Sequence, residues 1–302
     1  MHPDPAEGLS RSRGGATQGP GPQGDMTRTP SHGFPRMAPG TRGDTVPGMR
    51  IRTTLIAVAA LLCGMAAPAQ AIIGGGDAPE PYSFLGSLQR PGSNLPSGHF
   101  CGVSLLAPQW AITASHCLWS EGDVLEGTPR DWRVRFGSLD PTSGGQLVEV
   151  DRYHRYSLEP AEGDIALLHL KSAVHGQPVT MPPADSPVGT PARIVGWGQY
   201  RLSPCKDFTD PACYPDRLQQ AGVEILPTKS CRITVRENAI CVGTPKNEIQ
   251  VGNSDSGGPA LVRDGDRWLI AGVASHGLPD APLVFTQPRH FASWMKGIMT
   301  GL

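Results

Sequence analysis

Short apolar runs, several alternating with polar positions, recur from Phe84 onwards between clusters of Gly, Pro, Ser and Asp. Six of them predict strands over residues 84–89, 99–106, 110–114, 132–137, 147–153 and 165–170. A second series predicts strands over 192–197, 219–226, 239–242, 260–262, 268–275 and 283–286. Regular spacing with turn signals between the runs reads as an all-β barrel or sandwich. Residues 262–268 read as a hairpin whose Asp264-Gly265 supplies the turn. Only residues 291–299 space their large apolar side chains at a helical period. Residues 177–191, with five prolines, separate the two series. They place one lobe at about 72–180 and the other at about 190–302.

The region before Phe84 follows a different pattern. Residues 1–48 hold 8 Pro and 10 Gly, no apolar periodicity and one aromatic, Phe34. Such a stretch cannot bury a core and reads as a disordered leader or translated upstream sequence. At Met49 the character changes. Arg50 and Arg52 precede an apolar stretch over 53–67, and Ala69-Gln70-Ala71 supplies a small-x-small cleavage pattern. Residues 49–71 therefore read as a secretory signal peptide, with Met49 as the working start. Cys63 follows Leu62 rather than a small residue, which disfavours a lipid anchor. No apolar run is long enough to span a bilayer, so no stable membrane anchor is expected.

Charge and cysteine content sharpen the picture. The whole chain has 26 basic and 27 acidic residues, and seven arginines and four acids precede Ile72. Residues 72–302 thus carry 19 basic against 23 acidic side chains, which argues against a nucleic-acid partner. Their 231 residues suit one working unit of two small lobes. Six cysteines remain: Cys101, Cys117, Cys205, Cys213, Cys231 and Cys241. An even number in an exported chain reads as three disulfides, with a connectivity that the count alone leaves open.

Candidate chemistry begins at Asp255-Ser256-Gly257-Gly258-Pro259. A serine between an acid and two glycines sits where backbone turns tightly and a ligand can approach. The same run would also make an ordinary turn. A serine hydroxyl becomes a nucleophile when a neutral histidine accepts its proton and an acid fixes the histidine's tautomer. Thr113-Ala114-Ser115-His116-Cys117 offers the histidine. Gly163-Asp164-Ile165-Ala166-Leu167-Leu168 offers the acid at the mouth of a buried strand. A metal role for His116 lacks a second ligand at suitable spacing. The residues 138–146 hold one carboxylate, Asp140, too few oxygens for calcium. His99, His154, His169, His175 and His290 read as surface or locally bonded residues.

These motifs, in this order, resemble those of the chymotrypsin/trypsin family of secreted serine proteases over nearly all of residues 72–302. Ile72-Ile73-Gly74-Gly75 resembles the family's activated N-terminus. Gly196-Trp197-Gly198, Ala274-Ser275-His276-Gly277 and Trp294 fall in family order. The resemblance implies two six-stranded antiparallel β-barrels with a C-terminal helix, no cofactor, no metal, and protein or peptide substrates. It implies His116 as general base and acid, Asp164 as its orienter and Ser256 as nucleophile. Ser275 would bond Asp164, and the Ser254 and Ser256 N–H groups would form the oxyanion hole. The amine of Ile72 would pair with Asp255 after cleavage. Cys101–Cys117 and Cys231–Cys241 are the implied disulfides, leaving Cys205–Cys213 to close a local loop. The implied product is a monomeric enzyme secreted to an extracellular or periplasmic space.

Departures from the family pattern lie around the substrate. Ser254 stands where the family has Gly; its side chain would block substrate or disfavour a positive φ there, or else point outward, which only a positive φ would seriously oppose. Gly252 stands where one cysteine of a pocket disulfide belongs. Gln250 stands where a trypsin-like enzyme places Asp, and Leu283 on the opposite wall where Gly is common. With His276 and Gly277 they define the candidate specificity pocket. An uncharged base cannot offset desolvation of Arg or Lys, so small or medium uncharged side chains are expected, unless Glu248 replaces the missing charge. His276 stands in place of Trp and would line the substrate channel. A catalytically weak homologue that binds protein through the same cleft is the alternative, and an esterase with the same triad is a third reading.

Overall fold

The computed structural model describes residues 72–201, 204–278 and 280–301. The leader and signal-peptide readings, residues 1–71, lie outside the described residues.

The first series of apolar runs forms β2 (Leu85–Gln89), β3 (His99–Ala107), β4 (Trp110–Thr113), β6 (Arg133–Phe136), β7 (Gln146–Arg155) and β8 (Ala166–Leu170). They pair antiparallel in the order β7-β6-β2-β3-β4-β8, and β7–β8 pairing closes the ring. A two-residue strand, β5 (Glu126–Gly127), adds to β7. The second series forms β9 (Pro191–Gly196), β10 (Gln219–Leu226), β11 (Ala239–Gly243), β12 (Pro259–Asp264), β13 (Arg267–His276) and β14 (Leu283–Thr286). Their order is β10-β11-β14-β13-β12-β9, closed by β10–β9, and β1 (Gly76–Asp77) adds to β10. The fold is thus two closed six-stranded antiparallel barrels, and closure removes the unpaired strand edges that open sheets must protect.

Period-two patterning explains the burial. On β7 Val148 and Val150 point inward while Leu147 and Glu149 face solvent. β8 is buried almost throughout, in keeping with its continuous apolar run. One apolar cluster fills the first barrel and continues through Val195, Trp197, Leu261 and Val273 of the second. A separate cluster around Ile194, Ile225, Val242 and Phe285 fills the second barrel and includes Ile72.

Two details refine the sequence reading. Asp264 pairs with Arg267 as the last strand residue, so Gly265 and Asp266 make the hairpin turn. Gly265 adopts φ +58°, which a glycine accepts without steric cost. The C-terminal helix, α2 (Ala292–Thr300), follows the short α1 (Pro160–Gly163) and ends at Gly301 in a left-handed cap. Tyr156 packs edge-on against Phe291 and Trp294, joining the end of β7 to the helix region.

The six cysteines among the described residues are all bonded: Cys101–Cys117, Cys205–Cys213 and Cys231–Cys241. The first, at a sequence separation of 16, is worth about 3 kcal/mol by loop closure.

Candidate active site

Strand register brings His116 and Asp164 together. β4 pairs with β8 so that Thr113 faces Ala166. His116 lies three residues beyond Thr113 and Asp164 two residues before Ala166, which puts both at one rim of the first barrel. A 3-10 turn over Ser115–Glu121 carries His116, and the Cys101–Cys117 bond ties that turn to β3. Asp164 Oδ2 lies 2.7 Å from His116 Nδ1, and Oδ1 accepts the His116 backbone N–H at 2.9 Å. Ser275 Oγ donates to Oδ2 at 2.5 Å. Asp164 is 1% exposed and His116 is 25% exposed. Burial pushes the Asp164 carboxyl up, but the His116 and Ser275 contacts outweigh it and hold the group below its ordinary range. The carboxylate is therefore ionised and sets Nδ1 as the protonated nitrogen of His116.

The turn over residues 252–258 is built against this rim. Gly102 of β3 donates to the Ser256 carbonyl at 2.8 Å, and Gly257 donates to Ala274 of β13 at 2.9 Å. Gly257 has φ +76°, and a Cβ there would lie 2.2 Å from Thr113 Oγ1. Only glycine lets the serine turn approach β4 this closely. Among the described residues, the one side-chain hydrogen bond of His116 is to Asp164; its bond to a nucleophile commonly tightens only with substrate present. Neither Ser254 nor Ser256 spends its backbone N–H on another described residue, so both are open to an incoming oxygen.

Ser254 does adopt a positive φ, +72°. The outward alternative for its side chain is therefore corrected to a strained one, since L residues pay sterically for this region. Two contacts hold it there. Its side chain lies near the buried Tyr214 phenol, whose own hydroxyl donates to the Phe208 carbonyl. Its carbonyl lies 3.1 Å from His99 Nε2, and His99 Nδ1 lies 2.8 Å from Ser87 Oγ. A carbonyl can only accept, so Nε2 carries the proton and Nδ1 accepts from Ser87. Burial drives the His99 pKa down to about 4 against the raising effect of the Ser254 carbonyl. His99 is thus a buried neutral support of the Ser254 backbone rather than a surface histidine.

Arg155 is a second residue that the sequence reading passed over. It is buried at the end of β7 and donates to the Ser115 carbonyl through Nε and Nη2, and to Gly122 through Nη1. It therefore braces both ends of the segment that holds His116. An isolated arginine on an alternating strand carries no signal of this role.

Asp255 is buried and accepts N–H bonds from Gly198 at 2.8 Å and Gly252 at 3.0 Å. No cation pairs with it among the described residues, and burial raises its pKa to about 7 against those two bonds. Ile72 is also buried and lines the same small internal cavity as Asp255.

Of the remaining pocket candidates, Gly277 and Leu283 lie together, while the contacts of Gln250 run to Ile73 and Asn247. Leu283 packs on the second-barrel core, and its Cδ1 would meet a Cβ on Gly277 at 2.8 Å, so these two walls touch. Gln250 is half-buried and its backbone bonds Ile73. Gly252 leaves no room for the cysteine its position suggests, because a Cβ there would lie 1.8 Å from the Gln199 carbonyl oxygen. His276 is exposed, with Nδ1 2.8 Å from Ser275 Oγ.

Comparison with known proteins agrees with this arrangement. The family model described as Trypsin matches residues 72–295. Transmembrane protease serine 11C of Mus musculus is 28% identical over 251 residues, covering 76% of this chain and 54% of that protein. The chain thus spans about half the length of that curated relative. The solved structure of neuropsin, a serine protease expressed in the limbic system of mouse brain, shares the fold at a TM-score of 0.60. It is 24% identical, over 76% of this chain and 100% of that chain. With the model matching most of the chain across both barrels, the protein belongs to the trypsin family.

Proposed function

We propose that residues 72–302 form a secreted serine endopeptidase that cleaves peptide bonds through an acyl-enzyme. The observation that carries the reading is the bonded His116–Asp164–Ser275 array at the rim on which the Ser256 turn is packed. Ser256 Oγ attacks the scissile carbonyl while His116 Nε2 takes its proton. The oxyanion gathers the Ser254 and Ser256 N–H groups, each such donor being worth roughly 10²–10³ in rate. His116 then passes the proton to the leaving amine as the C–N bond breaks. Water repeats the sequence to release the acyl group and restore Ser256. Asp164 stays ionised and stabilises the imidazolium throughout.

The wall contact of Leu283 with Gly277 and the uncharged Gln250 favour small or medium uncharged side chains at the cleavage point over Arg or Lys. Cleavage after Ala71 would free the Ile72 amine beside Asp255 and give that carboxylate its counter-charge. Signal peptidase would then deliver the active form directly, and a mature N-terminus at Gln70 with full activity would exclude it. The three disulfides suit an oxidising compartment. Among the described residues no helix is long and apolar enough to cross a membrane.

A fluorophosphonate probe tests the reading. The secreted protein should label, and Ser256→Ala should not. Profiling on a peptide library should show cleavage after uncharged residues; dominant cleavage after Arg or Lys would overturn the pocket assignment. The strained Ser254 supports one rival, a catalytically weak homologue that binds protein in the same cleft. Folded protein with Ile72 free that takes up no probe would favour it.

A further inference from the structure

β13 carries a second imidazole into the array. Its pairing with β14 is regular up to Ala274–Phe285 and then shifts, so that His276 faces Val284 and Ser275 is the extra residue. In an unbroken strand neighbouring side chains point to opposite faces, but a bulge re-aims them. Here the Ser275 hydroxyl lies 2.5 Å from Asp164 Oδ2 and 2.8 Å from His276 Nδ1.

The proton count in this chain decides the direction of each bond. Ser275 Oγ has one proton to give. Asp164 is a buried carboxylate whose Oδ2 also accepts from His116, and it is the stronger acceptor. With that proton committed, a bare His276 Nδ1 would set its lone pair against those of the hydroxyl at 2.8 Å. The contact is favourable when Nδ1 itself carries a proton.

We propose that His276 is a positioning residue for the triad acid. Its Nδ1–H donates to Ser275, the Ser275 hydroxyl donates to Asp164 Oδ2, and that oxygen accepts from His116 Nδ1. A hydroxyl that accepts one bond donates a stronger one, so His276 tightens the bond that orients Asp164. The assignment rests on the triad reading above. It also fixes Nε2 as the unprotonated nitrogen of neutral His276, on an exposed ring next to the Gly277 wall.

Nitrogen-15 NMR of the folded Ser256→Ala protein, which cannot digest itself, reads the tautomer without any activity. His276 should appear protonated at Nδ1, and Ser275→Ala in the same protein should release it to the ordinary Nε2–H form. An Nε2–H signal with Ser275 intact would overturn the proposal. In the active protein His276→Phe removes the donor and should lower kcat about fivefold, separately from any change in KM at the substrate channel. His276→Asn, whose amide can replace Nδ1–H, should recover most of the kcat lost in the Phe variant, whatever either change does to substrate binding. In a Ser275→Ala background His276→Phe should have no further effect on kcat. Equal losses for the Phe and Asn variants, or an unchanged kcat for Phe, would sink the idea. Should the parent protein turn over no substrate, the triad reading fails and the tautomer still decides this one.

Discussion

The two barrels contribute unequally finished halves to the cleft. The first supplies His116 and Asp164, bonded to each other through side chain and backbone, braced by Arg155 and stapled by Cys101–Cys117. The second supplies a serine turn with a left-handed Ser254 and a buried Asp255 that has no counter-charge among the described residues. Folding alone satisfies the acid, because both oxygens of Asp164 meet partners within the chain, and it leaves His116 Nε2 for the nucleophile. The serine half stores cost, and a new positive charge beside Asp255 would remove much of it. The contrast teaches that one half of such a cleft can be satisfied within the chain while the other still lacks a counter-charge.

The largest effect tests the finished half. Asp164→Asn should leave the fold intact and lower kcat by about 10⁴, because the amide can no longer fix the Nδ1–H tautomer of His116. Stopped assays on the purified variant would show it, and a loss below tenfold would mean that His116 is not held by Asp164 as described.

Next comes the unfinished half, read through pH. The folded pKa of Asp255 is raised to about 7, above that of an unfolded aspartate. Its stabilising effect is therefore complete below the unfolded value and is lost as pH rises through the folded one. A form with Ile72 in peptide linkage should lose a few kcal/mol between about pH 4 and 7. Asp255→Asn should flatten that part of the profile, as should freeing the Ile72 amine. Denaturant midpoints across this range provide the measurement, and parallel profiles for the linked and freed forms would break the comparison.

The smallest effect concerns Ser254. Replacing it with Gly removes the left-handed strain and should raise stability by about 1 kcal/mol, less the lost Tyr214 contact. A thermal midpoint a few degrees higher, with activity retained, would mark the serine as a cost to the turn. A lower midpoint would show that the Tyr214 contact outweighs the strain.

Much of the fold could be read from local pattern. Each of the twelve apolar runs coincides with a strand, with ends moved by at most a few residues, because period-two alternation and Gly/Pro punctuation are local properties. The site was legible as motifs, yet its supports were not. His99 reads as an ordinary histidine until β3 and the 252–258 turn enclose it between Ser87 and Ser254. Arg155 shows its role only when β7 returns beneath the His116 segment. The bulge at Ser275 depends on register with β14, which no single run reveals.

What the chain's own order of residues determined was the set of strands, the export-type cysteine content and the candidate nucleophile, base and acid. Those depend on residue type and near neighbours. The tertiary structure alone decided which hydrogen bonds each acid and imidazole makes, that Ser254 is left-handed, and that Ile72 and Asp255 line one small cavity, with no counter-charge on Asp255 among the described residues. Burial and hydrogen-bond partners come from strands distant in sequence, and they set charge state and tautomer. That is why the chemistry of these residues becomes definite only once both barrels have closed.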